Sequence, residues 1–191
     1  MTIAFVPHDP QWRIQAGFLI RDLVALFGPL AERIDHVGST AIPGIAAKSK
    51  LHLDVSLAAG VLLETAKAKL NGLGYIDHGH RFRADEVQLT RPAGNWFGAD
   101  EGVRPKVAMP HRLTLCSAGC PSPLDRKRFR DALQRDTELA EAYERLKRRL
   151  AECSNGTIGW SGYAQGKSTF IAAALTGVQM NDVTLCADCD R

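Results

Sequence analysis

The sequence predicts an α+β domain in which a mixed β-sheet is backed by helices, with a helical C-terminal part. Residues 50–57 alternate between apolar and polar side chains, and residues 11–27 repeat apolar side chains every three or four positions. Alternation indicates a strand with one buried face, whereas the longer spacing indicates an amphipathic helix. Helical patterns also accumulate after residue 123. Strands that precede a run of helices are typical of the α+β class.

Each predicted element follows from apolar spacing and from the glycines and prolines that end it. The strands are expected at residues 3–6, 34–37, 50–57, near Tyr75, 81–91 and 106–115. The helices are expected at residues 11–27, 60–71, 123–152 with a break near Asp136, and 161–176. Residues 1–176 are expected to form a single domain, followed by a flexible tail over residues 177–191.

The composition is that of a water-soluble globular protein. The chain has 191 residues, of which 45% are hydrophobic and 24% charged, so one domain with a substantial core is expected. Its first residues lack a basic segment followed by a long apolar run. No stretch approaches the roughly 18 consecutive apolar residues of a membrane span. We therefore expect a cytoplasmic protein with no membrane partner.

The charge pattern gives no strong signal for nucleic acid. The net charge is only +3, and the densest basic run, Asp125 to Arg149, contains acidic residues throughout. At helical spacing, such mixing is typical of a solvated helix face with ion pairs between successive turns. The charge pattern therefore gives no reason to expect a nucleic-acid partner, and the sequence does not indicate the oligomeric state.

The five cysteines are expected to be free thiols, because their number is odd and no secretion signal is present. Cys186 and Cys189 form a CxxC pattern in the tail. Together with Cys116 and Cys120, they could complete a four-thiolate zinc site. That arrangement needs the polar tail to dock on a distant loop, so a frayed tail is the favoured interpretation.

The most informative segment is HVGSTAIPGIAAK, residues 36–48. A glycine after a strand permits a tight turn in which backbone N–H groups and the Ser39 and Thr40 hydroxyls face an anion. The next strand carries His52 and Asp54 two positions apart, and therefore on one face. An anion-binding turn beside a polar strand face indicates a site for an anionic ligand.

This segment resembles the signature of the GrpB (UPF0157) family, a bacterial branch of the nucleotidyltransferase fold. Other pieces agree in order over about residues 4–175, namely VPHDPQW, LGY, FRDAL, YERLKRRLA and YAQGKSTFI. The resemblance implies a nucleotidyltransferase-like sheet backed by helices. In that fold the Gly-Ser turn holds a triphosphate, and two carboxylates on the next strand hold Mg²⁺. It therefore implies a nucleoside triphosphate with Mg²⁺ or Mn²⁺.

The sequence departs from the family pattern at two places. Relatives typically read Pro-Ile-Ile-Asp-Ile after the motif, whereas residues 49–53 read Ser-Lys-Leu-His-Leu, so His52 stands where the first carboxylate is expected. Relatives also often carry His-x-Leu-His on a later strand, where residues 111–114 read His-Arg-Leu-Thr. Since Mg²⁺ prefers oxygen ligands, the first change argues against an ordinary Mg²⁺ site.

We predict Asp54 and His52 as catalytic residues and as the candidate metal ligands. The predicted substrate- or phosphate-binding residues lie in the motif or carry polar side chains suited to an anion. They are Gly38, Ser39, Thr40, Lys48, Lys50, Arg81, Arg83, His111 and Lys167.

Three chemistries remain open for His52 and Asp54. The pair could hold a softer ion such as Mn²⁺ or Zn²⁺. Alternatively, Asp54 could orient His52 as a general base. In the third, no metal is bound and the anion is held directly by a positive pocket. That pocket would be formed by Lys48, Lys50, Arg81, Arg83 and Lys167.

The other candidates have structural interpretations. Ser39 is expected to act as a phosphate-binding hydroxyl rather than as a nucleophile activated by His36. Arg130 and Asp131 suit a structural ion pair. The spacing of the histidines on either side of Gly79 gives a weak metal hint; they are His78 and His80.

The leading prediction is a nucleotidyltransferase-like enzyme that uses a nucleoside triphosphate to modify a small molecule. The first alternative is a repurposed, metal-independent enzyme of small-molecule metabolism that uses the same cleft. The second is a non-catalytic module that binds anions or nucleotides. Fold alone does not decide among them.

Overall fold

The computed structural model describes residues 4–98, 104–153 and 159–176. The helices are α1 (Gln11–Phe27), α2 (Leu63–Ala68), α3 (Ser122–Arg135), α4 (Thr137–Cys153) and α5 (Gly159–Thr176). The strands are β1 (Ala31–Val37), β2 (Leu51–Leu57), β3 (Ile76–Asp77), β4 (Glu86–Arg91) and β5 (His111–Cys116).

The five strands form one mixed sheet in the order β1-β2-β5-β4-β3. β2 and β5 run parallel, and the other neighbours run antiparallel. Helices α3, α4 and α5 follow the last strand. The predicted α+β class, with a mixed sheet backed by helices and a helical C-terminal part, is confirmed.

One face of the sheet is apolar and packs against α1 and α2. The alternation in β2 places Leu51, Leu53, Val55 and Leu57 on this face, where all four are fully buried. The opposing stripe of α1 includes Trp12, Leu19, Leu23 and Phe27. Full burial of such side chains contributes about 1.5–3 kcal/mol each, so this layer stabilises the fold substantially.

The C-terminal helices form a second core over the opposite, polar face. Phe129, Tyr143 and Phe170 pack edge to face or tilted, one from each of α3, α4 and α5. Helix α4 also fixes the segment before β2, because Glu144 accepts a hydrogen bond from Ala46 N–H and Lys147 donates to the Ala46 carbonyl. The polar residues of the sheet therefore lie beneath a helical cover.

Several elements are shorter than predicted. The helix expected at 60–71 spans only Leu63–Ala68, since turns follow it. The strands expected from residues 81 and 106 begin at Glu86 and His111. Pro110 has no N–H group to donate to a strand ladder. The predicted break near Asp136 separates α3 from α4, and its carboxylate caps α4 at Leu139 N–H.

The N-terminal strand prediction is wrong in its described part, residues 4–6, where Val6 forms only an isolated bridge with Ala47. The predicted flexible tail, residues 177–191, lies outside the described residues, as do Cys186 and Cys189. Within the described segments, no helix combines the length and apolarity needed to cross a membrane.

Candidate functional site

The Gly38 turn joins β1 to the motif and lies against His52. Gly38 has a φ of 75°, and a Cβ at this position would lie 3.1 Å from His52 Nδ1. Any residue with a side chain at this position would therefore have a strained backbone, and its Cβ would be crowded against the imidazole. Residues Ser39–Ala41 form a short 3₁₀ turn. Thr40 Oγ1 lies 2.9 Å from His36 Nε2, and the Ser39 hydroxyl bonds to Tyr143.

Strand register places His52 and Asp54 beside the polar residues of β5. His52 is paired with Arg112, and Asp54 with Thr114. Because side chains alternate along a strand, these four residues share the face beneath the C-terminal helices. The sequence prediction that His52 and Asp54 lie on one face is confirmed.

Four positive side chains, hereafter the cation cluster, surround the His52 end of this face; they are Lys48, Lys50, Arg112 and Lys167. Burial, together with neighbouring cations, lowers the pKa of Lys48 and of Lys167 to about 8. Lys48 Nζ and Lys167 Nζ lie 4.5 Å and 4.4 Å from the centre of the Tyr163 ring. The aromatic ring therefore partly stabilises two like charges in a confined space.

His52 is held neutral by this environment. Burial lowers its pKa well below the usual value, and Arg112, Lys167 and Lys50 lower it further. In the described part of the chain, Arg112 Nε is buried without a hydrogen-bond partner. A buried donor without a partner is unfavourable, and crowded cations repel. An anion bound here would relieve both.

Asp54 is separated from the cation cluster by its pairing with α3. Arg126 Nε donates to Asp54 Oδ2 at 2.6 Å, and the same guanidinium contacts Glu86 at 3.2 Å. Burial raises the pKa of Asp54 to about 6, against the opposing effect of Arg126. Within the described segments, no hydrogen bond joins Asp54 to His52. The alternative in which Asp54 orients His52 as a base has no support in this geometry.

The residues at Asp54 do not fit the Mg²⁺ or Mn²⁺ site implied by the resemblance. The carboxylate already pairs with a guanidinium, and its neighbour His52 faces three cations. Asp35 lies opposite Asp54 on β1, but it pairs with Arg33 and lies 3.8 Å from Arg130. A divalent cation here would compete with arginines for every carboxylate.

The structure does not bring all predicted binding residues together. His111 lies on the opposite, apolar face, where Tyr75 and the Met109 carbonyl contact its two ring nitrogens. Arg83 is exposed and forms a two-pronged ion pair with Asp85. Arg81 is also exposed, although its charge lowers the pKa of Arg112. The expectation that Arg81 and Arg83 lie on a strand is wrong, because β4 begins at Glu86.

The remaining candidates are engaged within the fold. Arg130 and Asp131 form the expected ion pair at 2.6 Å, and Arg130 also donates to the His36 carbonyl. His78 contacts Thr90, and His80 contacts the Glu86 carbonyl. These two histidines therefore contact different residues of β4.

A further cleft of about 570 Å³ opens beside β1, between α1 and α3. Its polar lining includes Arg13, His36, Arg130 and Gln134. No residue of the cation cluster lines this cleft, so it is a separate feature of the surface.

Sequence reasoning missed Arg112 and Arg126 as site residues. Arg112 could have been found by aligning the alternation of residues 111–116 with that of residues 51–57. Arg126 belongs to the run interpreted as a solvated helix face. That interpretation is wrong for Arg126, because it reaches Asp54 across 72 positions of sequence.

The comparisons with known proteins identify the family and the fold. The chain matches the GrpB protein family over residues 2–176 and therefore belongs to that family. A UPF0157 protein of Halalkalibacterium halodurans is 26% identical over 89% of this chain and 79% of its own length. The crystal structure of GrpB from Enterococcus faecalis superposes with a TM-score of 0.70 at 18% identity, covering 91% of this chain and 98% of the other.

One relative contains only a short matching segment. Dephospho-CoA kinase of Mycolicibacterium paratuberculosis is 34% identical over 76 residues, which cover 38% of this chain. The match spans 19% of the kinase.

Proposed function

We propose that this protein is a small-molecule enzyme that binds a phosphate-bearing substrate, with a nucleoside triphosphate as first candidate, without a divalent cation at Asp54. In this proposal, the chain uses the cleft of the nucleotidyltransferase-like fold for a different, metal-independent reaction. The observation that carries the proposal is the cation cluster around neutral His52, in which Arg112 Nε has no hydrogen-bond partner in the described part of the chain.

The chemistry of the proposal follows from charge. Phosphoryl and nucleotidyl transfer require stabilisation of negative charge on phosphate oxygens. Metal ions usually provide much of it, but arginine and lysine can contribute through charge-assisted hydrogen bonds. Arg112, Lys50 and Lys167 would stabilise this charge directly. His52, kept neutral, would offer one ring nitrogen as a donor or acceptor to the substrate.

Calorimetric titration with ATP, GTP, CTP and UTP, in EDTA and then in Mg²⁺ or Mn²⁺, tests the proposal. We expect binding in EDTA that is unchanged or weaker with Mg²⁺, because Mg²⁺ neutralises the triphosphate. Arg112→Gln should weaken binding at least about tenfold, since hydrogen bonds to charged groups contribute about 1.5–3 kcal/mol. Arg83→Gln, which removes an exposed arginine that pairs with Asp85, is the matched control and should leave affinity unchanged.

The same titration, followed by an assay for nucleotide turnover, separates the alternatives. Binding that requires a divalent cation and disappears in Asp54→Ala would contradict the proposal and favour a metal-dependent nucleotidyltransferase. Binding without any turnover of the nucleotide or of a candidate acceptor would favour a non-catalytic module. An absence of binding for all nucleotides would direct the search to other phosphorylated metabolites.

One observation favours the metal-dependent alternative. Asp35 and Asp54 are direct cross-strand neighbours, so the polar face does present two buried carboxylates side by side. Metal binding would require Arg126 and the arginines at Asp35 to move away. Mn²⁺ titration monitored by electron paramagnetic resonance would detect such a site. If the site exists, Asp35→Asn and Asp54→Asn should each abolish Mn²⁺ binding.

Dephospho-CoA belongs in the ligand panel. The name of the kinase relative identifies a nucleotide-containing compound, although the matching segment covers only 19% of that protein. Its phosphate groups would suit the cation cluster in the same way as those of ATP. Tighter binding of dephospho-CoA than of ATP in EDTA would identify the preferred substrate class.

A further inference from the structure

Three potential metal-ligating side chains converge at the end of the polar face farther from His52. Glu86 begins β4, Cys116 ends β5, and Cys120 lies in the turn before α3. Their ligand atoms, one carboxylate oxygen and two sulphurs, all lie within 4.8 Å of one another. Cys116 is four residues from Arg112 along β5, about 13 Å at the rise of a strand. This triad is therefore distinct from the cation cluster.

The carboxylates beside the triad outnumber the guanidinium that they share, and Arg126 lies farther from Glu86, at 3.2 Å, than from Asp54, at 2.6 Å. Asp54 and Glu86 share a single guanidinium, that of Arg126. The same guanidinium lies 3.4 Å from Cys116 Sγ, so it can donate to a thiolate there. At Cys120 the side chain interacts with Arg83 and Asp85. Each sulphur thus has a neighbouring arginine, an arrangement that stabilises metal-bound thiolates through outer-shell hydrogen bonds.

We propose that Glu86, Cys116 and Cys120 bind a borderline-soft divalent cation of the zinc type. Tetrahedral Zn²⁺ with bonds of about 2.0–2.3 Å separates its ligands by about 3.3–3.8 Å, a modest contraction of the triad. On binding, the metal replaces the two thiol protons, which pass to solvent. Three protein ligands leave the fourth position for a water molecule.

The donor set specifies the class of metal. Two sulphurs disfavour Mg²⁺ and Mn²⁺, which prefer oxygen ligands, and favour Zn²⁺. Cys120 is partly exposed, which gives the ion a path from solvent. The site needs neither Cys186 nor Cys189, and it therefore differs from a four-thiolate site completed by the tail.

Co²⁺ titration of the reduced, full-length protein tests the proposal. We expect one equivalent of Co²⁺ to give the visible ligand-field bands of a tetrahedral site together with thiolate-to-cobalt charge transfer, and Zn²⁺ to displace it. Cys116→Ser and Cys120→Ser should each abolish the charge-transfer intensity at one equivalent or reduce it by half or more. Glu86→Gln should weaken Co²⁺ binding at least about tenfold.

Two controls separate this triad from other thiols. Cys153→Ser removes a cysteine elsewhere, and the double variant Cys186→Ser/Cys189→Ser removes the tail pair; both should bind Co²⁺ as the unmodified protein does. The proposal is overturned if the tail variant loses the cobalt spectrum, if Glu86→Gln retains full affinity, or if the reduced protein gives no tetrahedral spectrum. Circular dichroism without metal verifies folding, and Cys120→Ser, at a partly exposed position, serves if Cys116→Ser does not fold.

Discussion

At the scale of single residues, the ionisation of the lysines follows from their neighbours. Lys48 and Lys167 share one tyrosine ring and face Arg112, and burial with these cations lowers the pKa of each lysine to about 8. A lysine in this state loses its proton around pH 8, and a bound anion would raise that pKa. Ligand binding and protonation should therefore be linked.

Nucleotide binding to the cation cluster should be pH dependent. The anion favours the charged lysine, so binding should be strongest below pH 8 and weaken as pH rises through the pKa of about 8 of Lys48 and Lys167. We expect ATP affinity in EDTA to fall about tenfold between about pH 7.5 and 9.5, equivalent to about 1.4 kcal/mol. Calorimetry at several pH values measures this fall, and proton uptake should accompany binding near pH 8.

The variant Lys167→Arg tests the origin of this pH dependence. Arginine, with a pKa of about 12 or above, remains charged throughout this pH range, so the substitution should retain binding and reduce the decline at high pH. An ATP affinity that stays constant to pH 9.5 in the unmodified protein would show that these lysines do not contact the anion.

At the scale of elements, α3 determines what the polar face can do. Its Arg126 reaches Asp54 and Glu86, and its Arg130 reaches the edge strand β1. One helix therefore pairs with Asp54, which the sequence predicts as a metal ligand, and with Glu86. The functional character of the sheet depends on the docking of a helix that follows it in the chain.

This docking explains why the fold was more predictable than the site. Local alternation in residues 50–57 was sufficient to place His52 and Asp54 on one face, because it requires only neighbouring residues. The partner of Asp54 is Arg126, which lies 72 positions later in the sequence. Whether Arg126 reaches Asp54 depends on how α3 is rotated about its own axis. In sequence, Arg126 and the exposed Arg128 carry the same charge on the same helix. Only tertiary packing distinguishes them.

Replacing Arg126 should destabilise the fold in a pH-dependent manner. In Arg126→Gln, Asp54 and Glu86 would remain buried without their cation. Loss of one partner of a buried ion pair typically costs about 3–5 kcal/mol, and partial exposure of Arg126 lowers our expectation to about 2–4 kcal/mol at pH 7. The pKa of Asp54, already raised to about 6, should rise further. Protonation would then restore stability as pH falls toward 5.

Urea denaturation at pH 5 and at pH 8 measures this effect. Arg128→Gln is the matched control, since Arg128 is exposed on the same helix and should change stability by less than about 0.5 kcal/mol. Equal destabilisation of Arg126→Gln at both pH values would indicate lost packing rather than uncompensated carboxylates.

At the scale of the whole molecule, distant parts of the chain are joined by a buried ion pair. Arg104, after β4, donates two hydrogen bonds of 2.8 Å to Asp22 on α1, 82 positions earlier. Their side chains are only 5% and 2% exposed. The guanidinium also forms cation–π contacts with the rings of Phe18 and Trp96. This contact holds the segment that begins at Arg104 against α1, on the side of the sheet away from the cation cluster.

Breaking this pair should lower stability without altering the site. Asp22→Asn leaves the buried Arg104 charge uncompensated, which should cost about 3–5 kcal/mol, whereas Asp22→Leu/Arg104→Met should recover most of that loss. Urea denaturation measures both changes. If the double variant is no more stable than Asp22→Asn, the pair's geometry, rather than its charge balance, holds this segment against α1.

Because the sheet separates this ion pair from the cation cluster, the folded Asp22→Asn variant should bind ATP with the affinity of the unmodified protein. A parallel loss of ATP affinity would show that the two faces of the sheet are coupled.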